Sequence, residues 1–405
     1  MTPYRAREAS SLISKALKSM PVIVLSGMRQ AGKSTLLQHL PHHSGRKYYS
    51  FDDYNILEAA RNDPESFVNT AEPVTIDEAQ KLPEILSVIK RAVDRNRRPG
   101  QFILSSSANF LLLKNVAESL AGRAVYLTLY PFSRREILGR TGEEPAMIRF
   151  IEHGTFQERD VKPIKEQEIL TGGMPSICLG EVEEPQIWFR GYEQTYLERD
   201  IRSLSQVADL VSFRHILKLL SLRNAQILKQ SEIARDAKLN VMTTSRYLAL
   251  LEASFVLFRL QPHLSNKSSR LIKSPKIYFS DTGLAAYLAG VKKLDFNEAL
   301  RGALFENYIA QNLLAIFSSH HPDVHMGYWN IQGRFEVDFI LEIGRETIAM
   351  EIKYGTRWGE NDLKGLKAYL GSSKNCRAGL LVYNGTEILK LGDKLWAVPA
   401  SVVLS

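Results

Sequence analysis

Gly27-Met28-Arg29-Gln30-Ala31-Gly32-Lys33-Ser34 sets two glycines around four residues and follows them at once with a lysine and a hydroxyl side chain. That pattern suits phosphate. The glycines permit backbone angles that turn successive N–H groups inward, and the helix that follows adds its positive end. Lys33 is placed to reach the β- and γ-phosphates of a nucleoside triphosphate, and the Ser34 hydroxyl to join the shell of a Mg²⁺ ion. Gly27, Gln30, Ala31, Gly32, Lys33, Ser34 and Thr35 are the candidate nucleotide contacts, with ATP and Mg²⁺ as the implied ligands.

A second chemical element is Pro73-Val74-Thr75-Ile76-Asp77-Glu78-Ala79-Gln80, an apolar run that ends in two acids. Asp77 is assigned to the metal, directly or through water, and Glu78 to positioning the attacking water as general base. Gln80 admits either a water-orienting role or an ordinary capping one. Gln101-Phe102-Ile103-Leu104 runs into Ser105-Ser106-Ser107-Ala108-Asn109, where Ser106 or Asn109 is the candidate sensor of the γ-phosphate. A serine-rich helix cap is the alternative there. Arg123, after the helix-ending Gly122, is either an arginine finger, in cis or toward a neighbouring subunit, or a surface residue paired with the helix end.

The elements that must carry these residues are legible as alternating patterns. Strand-like runs at Pro21–Leu25, Lys47–Phe51, Val74–Ile76, Phe102–Leu104 and Val125–Leu129 are mostly separated by helical patterns, notably Ile85–Val93 and Phe110–Leu120. Such alternation predicts an α/β domain with a parallel sheet and helices on both faces, the Phe102 strand lying between the two motif strands. Ligands then bind at the carboxyl edge.

These motifs together resemble the AAA-like ATP-binding proteins of bacteria and archaea that carry a C-terminal domain of unknown function, DUF4143. The resemblance continues through Gly172-Gly173-Met174-Pro175, Tyr196-Leu197-Glu198-Arg199-Asp200-Ile201, Ser280-Asp281-Thr282-Gly283-Leu284 and Gly302 to Asn307, and so covers nearly the whole chain. It implies a P-loop NTPase domain that binds and hydrolyses ATP. The later motifs are family markers without an assigned chemistry.

The middle of the chain reads as helical. Ser231–Asn240, Val241–Leu251 and Phe255–Leu260 follow the order helix, turn, helix, strand, as in a winged helix. Its second helix offers Thr243, Thr244, Ser245, Arg246 and Tyr247 toward a groove, with Arg246 the sole cation, so DNA binding and intramolecular packing are both open.

Near the C-terminus, Leu304–Leu314 reads as an amphipathic helix, Tyr328 to Leu341 as a hairpin and Thr347–Lys353 as the next strand. Period-two alternation puts Glu351 and Lys353 on one face, opposite Met350 and Ile352. The arrangement resembles the PD-(D/E)xK restriction-endonuclease-like fold. That resemblance implies Asp338 and Glu351 as Mg²⁺ ligands, Lys353 steering hydroxide, and Glu306 as an added ligand. A nuclease-like fold without its activity is the alternative.

The boundaries that follow are 1–131 for the ATPase domain, 132–184 for a helical connection, 185–265 for the winged-helix-like region and 266–405 for the nuclease-like domain. A chain of 405 residues with a charged fraction of 24% is that of a globular protein of several domains. No apolar run reaches bilayer length and the N-terminus lacks the core of a signal peptide, so a cytoplasmic setting without membrane association is expected. Cys178 and Cys376 lack metal-ligand spacing. The net charge of +8 admits a polyanionic partner such as DNA. Lys90, Arg91, Arg95, Arg97 and Arg98 are the first basic patch to test for it. A protein partner is equally open, and an oligomer is required only if Arg123 acts in trans. His320, His321 and His325 read as a solvated loop, and His42 and His43 carry no role.

Overall fold

The apolar runs near the N-terminus form strands β1 (Val22–Ser26), β2 (Lys47–Ser50), β3 (Val74–Asp77), β4 (Phe102–Ser106) and β5 (Ala124–Thr128). They make one parallel sheet in the order β2-β3-β4-β1-β5. Within β1, Val22 and Val24 face one side and Ile23 and Leu25 the other, because successive side chains alternate. The first pair packs with Val74, Ile76, Phe102 and Leu104 against Ile85, Leu86, Ile89 and Val93 of the helix Ile85–Arg95. The second pair packs with Ile103 and Leu129 against Ile13 and Leu17 of the helix Ala9–Leu17, and against Leu36 and Leu37 just beyond the glycine loop. Burial on both faces is why β1 and β4 read as unbroken apolar runs. The sheet brings the loop after β1, the acids at the end of β3 and the serines of β4 to one carboxyl edge.

The computed structural model describes residues 3–41, 44–107, 120–157, 161–197, 210–264, 273–294, 297–331 and 334–405. Asn109, His42, His43, the helix expected over Phe110–Leu120 as far as residue 119, and the Glu198–Ile201 part of the Tyr196 motif lie outside the described residues. The chain divides into two compact units, one of Ala6–Pro131 with Leu251–Val256 and the other of Met1–Arg5, Phe132–Leu250 and Leu257–Ser405.

In the second unit, helices Leu210–Leu222, Gln230–Asp236 and Val241–Ala253 precede two antiparallel strands, β6 (Leu257–Leu260) and β7 (Lys276–Phe279). The groove-facing set expected on Val241–Ala253 is corrected. Thr244 and Tyr247, one helical turn apart, are buried, and Tyr247 meets Phe213 edge-on at 5.5 Å. Ser245 and Arg246 of that set stay on the exposed face, beside Val241 and Met242.

Two of the markers without chemistry are one structural clasp. Asp281 caps the helix Thr282–Leu288, accepting from Leu284 N–H at 2.8 Å, and its second oxygen accepts from Gly173 N–H at 2.6 Å. A Cβ on Gly172 would come within 2.5 Å of that carboxylate, and one on Gly283 within 2.5 Å of the Thr171 carbonyl. Burial pushes the Asp281 carboxyl up to about 6 against these backbone donors.

The helix around Glu306 spans Glu298–His320 and is capped by Asn297. After it come β8 (His325–Ile331), β9 (Phe335–Ile343), β10 (Glu346–Lys353), β11 (Cys376–Tyr383), β12 (Leu389–Lys390) and β13 (Leu395–Pro399) in a mixed sheet ordered β12-β13-β11-β10-β9-β8. β8, β9 and β10 are antiparallel neighbours, whereas β10 and β11 are parallel and are joined through the helix Lys364–Ser372. Leu366 and Tyr369 of that helix pack on Val337, Ile340 and Ala349. Gly365 allows the approach, since a Cβ there would sit 2.0 Å from the Glu336 carbonyl. Among the described residues no helix is long and apolar enough to cross a membrane.

Candidate functional site

The loop after β1 has the geometry its glycines permit. Gly32 has φ +91° and Gln30 φ +60°, and a Cβ on Gly27 would meet the Leu129 carbonyl at 2.2 Å. The helix Lys33–Gln38 starts directly after Gly32. Lys33 is buried, its Nζ donating to the carbonyls of Gly27 at 2.9 Å and Met28 at 3.0 Å, so the ammonium lies over the loop. Ala31 is buried, Ser34 half-buried, and Gln30 and Thr35 are exposed. No motif in the sequence marks Arg7. Its buried guanidinium donates to the carbonyls of Ala31 at 2.7 Å and Tyr130 at 2.6 Å and so braces the loop.

Asp77 is buried at the end of β3. Its Oδ2 accepts from the Tyr48 hydroxyl at 2.8 Å and its Oδ1 from the Ser105 hydroxyl. The Tyr48 hydroxyl also bonds the side chains of Gln38 and Ser34, which ties the loop serine to the acid. Burial first, then the charge of Asp77, raise the Tyr48 hydroxyl well above its ordinary value, so it stays a neutral donor.

Glu78 adopts the left-handed conformation, φ +57° and ψ +42°, where a residue with a long side chain is uncommon. Its N–H donates to Ser105 Oγ at 3.2 Å, and its carboxylate accepts from Ser107 Oγ at 3.1 Å and from Gln80 Nε2. Gln80 Nε2 also reaches Ser107 Oγ at 2.9 Å, and its Oε1 is buried with no partner among the described residues. Ser105 and Ser107, two residues apart, share one face toward the acids. Ser106 falls on the other face of β4, paired in register with Ser26 just before the phosphate loop, so Ser105 and Ser107 are the serines that meet the acids.

For Arg123 it is the finger in cis that is corrected. It immediately precedes β5, and its carbonyl accepts from Val22 N–H at the amino end of β1, the opposite sheet edge from the loop. Its guanidinium pairs with Asp94 at 2.5 Å. That places it out of reach of the phosphate loop in its own chain.

In the C-terminal sheet the structure brings Glu306, Asp338, Glu351 and Lys353 together. Lys353 Nζ lies 3.0 Å from Glu351 Oε1 and 3.8 Å from Asp362. Sequence reading missed Lys276 of β7, whose buried Nζ lies 3.1 Å from Glu306 Oε1, 3.1 Å from Asp338 Oδ1 and 2.6 Å from Glu336 Oε1. A lone lysine before the apolar Ile277-Tyr278-Phe279 was its only signal. Burial alone would lower the Lys276 ammonium, yet the charges of Glu306, Asp338 and Glu336 hold it well above its ordinary value. Burial followed by the charge of Asp338 pushes Glu306 up to about 7, and the same two causes raise Glu351 well above the carboxylate range. Among the described residues, the trio whose ligand-type atoms all lie within 4.8 Å of one another is the exposed Glu144, Glu152 and His153, which shares no residue with this cluster.

A parallel five-stranded sheet with a glycine loop after β1 and paired acids after β3 defines an α/β P-loop fold. Comparison with known families agrees. Residues 19–138 match the AAA domain, 164–295 a domain of unknown function (DUF8612), and 301–403 a domain of unknown function (DUF4143). The chain therefore carries an AAA domain followed by a C-terminal DUF4143 domain. An uncharacterized protein of Mycobacterium tuberculosis is 29% identical over 405 residues, covering 98% of this chain and 84% of that protein. Another, of Methanocaldococcus jannaschii, is 24% identical over 387 residues, covering 85% of this chain and 78% of its own length. Among solved structures, a Walker-type ATPase of Pyrococcus abyssi superposes with a TM-score of 0.45 at 17% identity, covering 69% of this chain and 94% of that one. The Holliday junction branch migration motor of Thermotoga maritima gives 0.32 at 17% identity, covering 63% and 90%.

Proposed function

We propose that this protein is a Mg²⁺-dependent ATPase whose nucleotide state controls association with a partner. The observation that carries the reading is the Tyr48 hydroxyl, which joins Ser34 of the phosphate loop to Asp77 of β3. Ser34 and Asp77 offer the oxygen ligands that Mg²⁺ favours, and the ion would neutralise phosphate charge. The loop N–H groups and Lys33 bind and orient the phosphates. Glu78, aimed by Ser107 and Gln80, accepts the proton of the attacking water. The buried Oε1 of Gln80 is the acceptor on that side able to hold the water's second hydrogen. A cytoplasmic setting, where ATP and Mg²⁺ are abundant, goes with this reading.

DNA is the partner we favour, on the net charge of +8 and the exposed Arg91, Arg95, Arg97 and Arg98. A protein partner is the second reading, supported by the exposed Val241 and Met242 on a helix face whose only cation is Arg246. Phosphate release by the full chain, measured without DNA and with single- or double-stranded DNA, tests the ATPase reading and the DNA reading. Hydrolysis is expected in the wild type, to fall by about 10²-fold or more in Glu78→Gln, and to vanish in Lys33→Ala. Equal background rates in wild type and Lys33→Ala defeat the ATPase reading. An active enzyme indifferent to DNA defeats only the DNA reading.

A further inference from the structure

The carboxylates of the C-terminal sheet already surround a cation. The Lys276 side chain is 4% exposed, and its ammonium meets one oxygen each of Glu306, Asp338 and Glu336. Two of its N–H groups donate to Glu306 and Asp338, and Glu336 adds a third carboxylate as an ion pair at 2.6 Å. The face of the Tyr328 ring lies 5.8 Å from the same Nζ.

A divalent ion shared by Asp338 and Glu351 would need an oxygen of each at about 2.0–2.1 Å for Mg²⁺. Each Asp338 oxygen already accepts one donor. Oδ2 accepts from the Ile352 N–H at 2.9 Å, and Oδ1 from Lys276 at 3.1 Å. An ion at Oδ1 would put two cations on one oxygen inside the protein, where their repulsion is poorly screened. Glu351 Oε1 is taken by Lys353, which leaves Glu351 Oε2, buried with no hydrogen-bond partner among the described residues. That is the one oxygen of the Asp338 and Glu351 pair with no donor on it among the described residues, and an ion held by the others would share each of them with an ammonium or an N–H. The donor set therefore does not fit a catalytic Mg²⁺.

We propose that Lys276 is the resident cation of this cluster, standing in place of the divalent ion that an Asp, Glu-x-Lys arrangement takes. It ties β7, the helix Glu298–His320 and β9 into one ionic knot, and the cluster activates no water for phosphodiester cleavage. The proposal is independent of the nucleotide-site reading.

The test is Mn²⁺ binding to the nucleotide-free full chain, followed by electron paramagnetic resonance. Wild type and Asp338→Asn are expected to bind the same number of ions with the same affinity. A Mn²⁺ site present in wild type and lost in Asp338→Asn overturns the proposal. Lys276→Met, which keeps the chain length and removes the charge, is expected to gain one Mn²⁺ site that Asp338→Asn abolishes in the double variant. A folded Lys276→Met chain that gains none also overturns it. Because that variant unpairs three carboxylates and can fail to fold, the wild type carries a separate arm. Acylation of Lys276, read by mass spectrometry, is expected to stay equally low with and without millimolar Mn²⁺. A rise with Mn²⁺ means that the ion displaces the lysine, and the proposal falls.

Discussion

At the carboxyl edge of β3, Asp77 and Glu78 are held by neutral donors: a phenol, two serine hydroxyls and an amide. In the C-terminal sheet, Asp338 and Glu351 are held by two ammonium groups. Both arrangements orient buried carboxylates, but only the second cancels their charge. A neutral donor fixes the direction of a carboxylate and leaves its field available for a metal or a water proton. An ammonium spends that field on the fold. Buried strand acids thus keep their charge in one unit and have it neutralised in the other, and the difference lies in what faces them.

The contrast can be broken from either side. Its largest expected effect is at Lys276, since removing one partner from a buried ionic group strands the rest. Lys276→Met should lower the unfolding free energy by about 3–5 kcal/mol, read from denaturant titration. A change below about 1 kcal/mol would mean that the knot does little for the fold. A smaller effect is expected at Tyr48. Tyr48→Phe removes one neutral donor from Asp77 and should raise the Mg²⁺ concentration needed for half-maximal phosphate release by about tenfold. The rate at saturating Mg²⁺ should change little. If that rate collapses instead, Tyr48 acts on the phosphates and not on the metal ligands. The smallest is Arg123→Ala. With Arg123 paired to Asp94 at the amino edge of the sheet, neither phosphate release nor the unfolding midpoint should move measurably. A loss of hydrolysis restored by mixing with Lys33→Ala protein would bring the trans finger back.

Local rules were enough for much of the first unit. The five strand positions followed from apolar runs, and the phosphate loop from glycines whose positive φ angles no bulky side chain adopts cheaply. The placement of β4 between β3 and β1 was also legible, because motif order constrains parallel α/β topology. The serines were missed at the level of the face. Ser105 and Ser107 are two apart, a spacing that alternation could have flagged, but only the register with β3 says which face looks toward the acids.

By itself the sequence determined the phosphate loop, the two acids after β3, and the polar face of β10 with Glu351 and Lys353. Each depends on spacing within a few residues, which backbone geometry converts directly into position. Tertiary structure alone decided what those residues touch. Tyr48 reaches Asp77 across 29 residues of chain, Arg7 braces Tyr130 across 123, and Lys276 reaches Asp338 across 62. Such partners are chosen by strand order and register, which bring distant side chains to one point and so set whether a carboxylate keeps its charge for a ligand or gives it to the fold.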